Sequence, residues 1–145
     1  MDDYLAQTVI KIKPILKELG FKKNRLNWYC ENDLIIKIFN IQKSYYSSKV
    51  YLNIGIYILE LLSKPSYSFP GVHIGYRLDH LVSREILDYE NVLPQHIRDE
   101  EYLKLLRSNP YEFFTLSGSK PELIKFIKEV DLGSTSVKAK EYLNI

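Results

Sequence analysis

The segment VYLNIGIYI, positions 50–58, constrains the fold more than any other part of the chain. Its even positions are Val50, Leu52, Ile54, Ile56 and Ile58; its odd positions are Tyr51, Asn53, Gly55 and Tyr57. Side chains alternate across a strand, so one face of this strand is wholly aliphatic and must meet a core. The other face carries aromatic, amide and glycine residues, and is either a binding surface or a solvated back.

Three more segments read as strands. LNWYCE (26–31) and LIIKIFNIQ (34–42) precede it, and VHIGYRLDH (72–80) follows it. Asn32-Asp33, KSYYSSK (43–49) and SKPSYSFPG (63–71) supply the turn and loop signals between them. In the fourth strand Val72, Ile74, Tyr76 and Leu78 share one parity and extend the apolar face. Setting Ile38 opposite Ile54 and Ile36 opposite Ile56 completes a contiguous aliphatic surface. A slip of one residue would bring Lys37 into the core, at the cost of burying a charge.

The flanks read as helices. Leu5, Val9, Ile12, Leu16 and Leu19 recur at helical spacing over 3–19. Asp2 and Asp3 suit its positive end, Pro14 predicts a kink, and Gly20 followed by Phe21 predicts a left-handed cap. Residues 95–107 form a second helix, stopped by Ser108-Asn109-Pro110. SKPE, Ser119 to Glu122, matches a capping box ahead of a run through Val130, which Leu132-Gly133 ends. The tail from Ser134 frays or forms a last short helix. The expected architecture is a single α+β domain over 1–145. A four-stranded antiparallel meander is packed on one face by N- and C-terminal helices, in two layers.

Length and composition fit an ordinary globular domain: 145 residues, 46% hydrophobic and 26% charged. The net charge of +2 is uneven, with 9 basic and 5 acidic residues in the first fifty and 4 basic and 7 acidic in the next fifty. Without a dense basic patch, nucleic-acid binding is disfavoured. The start lacks a basic region followed by an apolar one, and no apolar run is long enough to span a bilayer. With Cys30 as the lone cysteine, a reducing cytoplasm is the expected location.

Parity assigns Lys37, Phe39, Ile41 and Lys43 to the second face of the sheet. Tyr51, Asn53, Gly55, Tyr57, His73, Gly75, Arg77 and Asp79 join them there. Glycine weakens a strand interior and often marks close approach of a ligand or another backbone. The candidate binding residues are therefore Lys37, Gln42, Lys43, Ser44, Tyr51, Asn53, Gly55, Tyr57, His73 and Arg77. Gln42, Lys43 and Ser44 lie beside Tyr45 and Tyr46 on the 43–49 loop, and amphipathic tyrosines suit protein recognition.

Catalytic chemistry is not legible. His73, Asp79 and His80 form the only local metal-ligand cluster, and strand parity turns His80 away from the other two. Cys30, between Tyr29 and Glu31, reads as a small hydrophobe. No phosphate loop, dinucleotide fingerprint or nucleophile elbow occurs, and no cofactor is implied.

LKELGFKK (16–23), NWYCENDLIIKIFNIQKSYYS (27–47), VYLNIGIYI (50–58) and HIGYRL (73–78) together resemble a family of small bacterial proteins known only as a domain of unknown function. The resemblance covers about residues 5–80 and extends loosely through the later helices. It implies a cytoplasmic bacterial α+β protein and carries no assigned activity. The expected function is a protein-interaction module, of the immunity or antitoxin kind by analogy, using the open sheet face or the 43–49 loop. The alternative is a domain that binds a small anion through Lys37, His73 and Arg77 around Gly55 and Gly75. The oligomeric state is left open.

Overall fold

A computed structural model describes residues 3–90, 93–130 and 134–145. Asp2 and the Leu132-Gly133 helix end lie outside the described residues. Helix α1 (Asp3–Glu18) runs through Pro14. It ends as expected, with Gly20 at φ 88° and the Phe21 amide donating to the Leu16 carbonyl at 2.9 Å. Leu5, Val9, Ile12 and Leu16 are buried, while Leu19 turns outward and is exposed.

The sheet has six strands rather than four: β1 (Lys22–Asn24), β2 (Asn27–Glu31), β3 (Ile35–Lys43), β4 (Val50–Ile58), β5 (Ile74–Arg77) and β6 (Ser134–Thr135). All neighbours are antiparallel and the spatial order follows the chain. The two unexpected strands are short polar edges. They carry no apolar alternation by which to be read, and edges of this kind resist pairing with other chains. The fourth expected strand also shortens, to Ile74–Arg77.

Four helices follow β5 or lie beyond it: α2 (Arg84–Leu87), α3 (Gln95–Arg107), α4 (Lys120–Val130) and α5 (Val137–Leu143). Ser119 caps α4 by accepting from the Glu122 amide at 3.4 Å. Leu123, Phe126 and Val130 put its apolar stripe into the core. The main core lies between this helical layer and Val50, Leu52, Ile54, Ile56 and Ile58 of β4.

The β3–β4 register corrects the expected one by a single residue. Ile38 faces Gly55, Phe39 faces Ile54, and Lys37 faces Ile56. Phe39 and Ile41 therefore belong to the core, not to the second face, and Lys37 enters the core face at 6% exposure. Its Nζ donates to the Phe114 carbonyl at 2.8 Å. Burial pulls its pKa below the usual lysine value, only partly opposed by Cys30 and Glu122.

The reason lies on the opposite face. Residues 62–72 fold back as a strap, and Leu62, Tyr67, Phe69 and Val72 pack with Ile36, Ile38 and Tyr57 in a second, smaller core. With both faces of β3 covered, Ile35 through Ile41 are all buried. Both parities are then apolar, and alternation no longer fixes which one faces the helices.

The strap also explains the mid-strand glycines. A Cβ on Gly55 would lie 2.6 Å from Val72 Cγ1, and one on Gly75 would lie 3.0 Å from Val72 Cγ2. The close neighbour is the chain itself. The Tyr57 hydroxyl, 2.7 Å from the carbonyls of both Ser68 and Pro70, holds the strap down.

Candidate functional site

On the strap-covered face the register aligns five polar residues at one level across five strands. Asn24 faces Asn27, Asn27 faces Asn40, Asn40 faces Asn53, and Asn53 faces Arg77. The side chains of Asn27, Asn40 and Asn53 form a hydrogen-bonded row that ends on Gln42, and Asn27 Nδ2 joins it to the Asn24 carbonyl. Asn40 Nδ2 donates to Asn27 Oδ1 at 2.9 Å, and Asn53 Nδ2 donates to Asn40 Oδ1 at 2.9 Å and to Gln42 Oε1 at 3.1 Å. The strap is tied to the same row. The Phe69 amide donates to Asn27 Oδ1 at 3.0 Å, and Asn24 Nδ2 to the Tyr67 carbonyl at 3.2 Å.

Backbone partners fix the direction of every amide. Phe69 N–H can only donate, so it requires Asn27 Oδ1. The Leu26 carbonyl can only accept, and Asn40 Nδ2 serves it at 3.3 Å. Asn40 Oδ1 must then face Asn53 Nδ2, and Gln42 presents its oxygen to the same nitrogen.

Two clefts flank the strap at Phe69-Pro70. One, about 760 Å³, lies beside Asn40, Gln42, Lys43, Ser44 and Tyr45. The other, about 460 Å³, lies over Asn53, Gly75 and Arg77. The Arg77 guanidinium stacks on the Tyr51 ring at 4.1 Å, with its Nε 3.8 Å from Asp79. Burial raises the Asp79 carboxyl above its ordinary pKa, opposed by its bond from the Leu52 amide at 3.0 Å and by Arg77.

The loop at the end of this shelf is internally pinned. The Ser44 amide donates to the Lys49 carbonyl at 3.0 Å, Ser44 Oγ accepts from the Tyr46 amide at 3.2 Å, and the Tyr89 amide holds the Ser48 carbonyl at 2.9 Å. On this frame Tyr45 is 95% exposed and Tyr46 99%.

Of the ten residues singled out from sequence, Gln42, Tyr51, Asn53 and Arg77 share the shelf, with Lys43 and Ser44 at its rim. Gly55 and Tyr57 lie under the strap. Lys37 is on the opposite face. His73 is just outside β5, where its Nδ1 accepts the Ile58 amide at 2.8 Å. Burial, then the Lys138 charge, lowers its pKa. Asn24, Asn27, Asn40 and Phe69 were not foreseen. The interval of 13 residues from Asn27 to Asn40 and again from Asn40 to Asn53 is the one signal that could have exposed the row.

A second polar cluster was also missed. Asn109, Tyr111 and Glu112 all adopt positive φ, at 48°, 55° and 58°. This turn brings the Tyr111 hydroxyl within 3.0 Å of His80 Nε2 and 3.5 Å of the Tyr76 hydroxyl. Desolvation and the Tyr76 bond push the Tyr111 pKa up to about 12. Among the described residues no three His, Cys, Asp or Glu side chains group as metal ligands, and no helix is long and apolar enough to cross a membrane.

These features define an α+β domain with a helical layer on one sheet face and a strapped, amide-lined shelf on the other. The family described as Domain of unknown function (DUF4304) matches residues 12–107, more than half of the chain, and the chain belongs to it. The match contains the whole amide row, the strap and α3. No curated protein and no solved structure matches the chain.

Proposed function

We propose that this chain is a binding domain that docks a partner protein through the 44–49 loop and the adjoining shelf. The observation that carries the reading is the pair Tyr45 and Tyr46, almost fully exposed on a loop held by its own hydrogen bonds. Exposed tyrosines on a fixed frame lose little conformational freedom on binding, and aromatic anchors contribute most of an interface's affinity. The resemblance to small bacterial proteins and the lone cysteine support a bacterial, cytoplasmic setting for that partner.

The small-anion alternative depends on Lys37, His73 and Arg77 meeting. Lys37 and Arg77 occupy opposite faces, and His73 is engaged with the β4 backbone. Arg77 alone remains on the shelf.

A photo-crosslinking residue at position 46, expressed in the native host, tests the docking reading. The expected result is one discrete adduct, absent when the crosslinker sits at Ile97. The purified partner should then bind Tyr45→Ser/Tyr46→Ser at least about tenfold more weakly, with the melting temperature unchanged. Equal binding by the double variant would overturn the reading.

A further inference from the structure

The amide row ends on the open part of the shelf, and its direction decides what that end offers. Asn53 spends both Nδ2 hydrogens on Asn40 and Gln42, so its Oδ1 is left as an acceptor. Gln42 gives its Oε1 to Asn53, so its Nε2 is left as a donor. Among the described residues neither atom has a protein partner. Asn53 is 2% exposed and lines the cleft beside Arg77. That oxygen meets the cleft with no protein donor among the described residues, so a bound group can supply one.

An acceptor and a donor carried on adjacent amides complement a peptide group, which presents one N–H and one C=O. Charge completes the specification. Arg77 stands on the shelf, and no Asp or Glu is among the described residues lining either cleft. The Arg77 contact to Asp79, at 3.8 Å, is long for a hydrogen bond, and stacking on Tyr51 leaves the edge of the guanidinium available to a carboxylate.

From this geometry we infer that the shelf binds an acidic peptide segment: Asn53 Oδ1 and Gln42 Nε2 read a backbone amide, and Arg77 takes an Asp or Glu carboxylate. A nucleobase edge offers similar donors and acceptors. One cation is too few for a phosphate backbone, so peptide is favoured. The inference rests on the docking reading and names the chemistry of its partner.

The test is selection of a random twelve-residue peptide library on the immobilised full chain. Enriched clones are then made as fluorescein-labelled peptides and titrated by anisotropy. Enriched peptides are expected to share an Asp or Glu and to bind Arg77→Met and Gln42→Ala at least about tenfold more weakly than the unaltered chain. Gln42 is exposed and ends the row, so its alanine variant keeps the fold, and matched melting temperatures check this. Three results would overturn the inference: no enrichment over uncoated wells, enriched peptides without acidic residues or indifferent to both substitutions, or tighter binding of a labelled twelve-residue oligouridylate that the same substitutions weaken. If the inference fails while the crosslinked partner still depends on Tyr45 and Tyr46, the docking reading stands and only the acidic-peptide chemistry is lost.

Discussion

Lys37 Nζ donates to the carbonyl of Phe114, 77 residues away, at 2.8 Å from within the core face of the sheet. This bond joins β3 to the turn at 110–115, where Tyr111 and Glu112 hold positive φ. It also lets the register carry a lysine inward: the stem packs as hydrocarbon and the ammonium finds one backbone acceptor.

Replacing Lys37 separates stem from charge. Lys37→Ala should destabilise by about 2–4 kcal/mol, from a cavity plus an unpaired carbonyl. Lys37→Met should fall within about 1.5 kcal/mol of the parent, since it keeps the volume and removes a buried charge. The native pKa lies below 10.5, so between the two values the unfolded chain holds more protons. The parent therefore gains stability relative to Lys37→Met as pH rises through that window. Urea melts at pH 7 and pH 10 would show it, and a gap unchanged by pH would count against a lowered Lys37 pKa in the fold.

The strap makes a steric prediction. Gly55→Ala sets a Cβ against Val72 Cγ1 and should cost about 1–3 kcal/mol. Val72→Ala in the same chain should recover much of that, because it removes the clashing methyl. Additive losses in thermal melts would mean that the strap does not rest on Gly55.

The same two regions show what a reader of the sequence could see. Val50 to Ile58 was assigned correctly, because its outer parity is Tyr, Asn and Gly and only the other side is wholly aliphatic. Residues 35–41 misled because Ile36 and Ile38 serve a second core that no local pattern announces. Helix 95–107 and the Ser119 cap were legible from charge placement and capping chemistry, which are local. Half of the shelf was legible from β4 and β5 parity. Asn27 and Asn40 were not, since a residue's face is unknown until register is settled.

His73 gives the fold a dependence on acid. Its Nδ1 accepts the Ile58 amide and can do so only while unprotonated. The native pKa is below 6.5, so the unfolded chain takes up the proton first as pH falls. Its contribution is intact above pH 6.5 and is lost progressively as pH falls from there through the native value. His73→Gln, which cannot titrate, should flatten the melting temperature between pH 7 and pH 5 relative to the parent. Parallel curves would remove His73 from the account.

The amide row should behave as a unit. Asn40→Ala removes three hydrogen bonds at once, to Leu26, Asn27 and Asn53, and should cost about 2–4 kcal/mol, more than a single hydrogen bond is worth. A double-mutant cycle with Asn53→Ala should show coupling above about 0.5 kcal/mol, whereas simple additivity would indicate independent side chains.

The most direct measurement of the central claim is a side-chain amide spectrum. The ¹⁵N-labelled chain is titrated with the partner captured at position 46, and the Nδ2 signals of Asn53 and Asn40, Nε2 of Gln42 and Nε of Arg77 are followed. The account predicts that Gln42, Asn53 and Arg77 shift together at one affinity, with Asn40 following through the row and the α1–α3 surface unmoved. Saturating binding that leaves those signals in place, with shifts confined to the helical face, would contradict it.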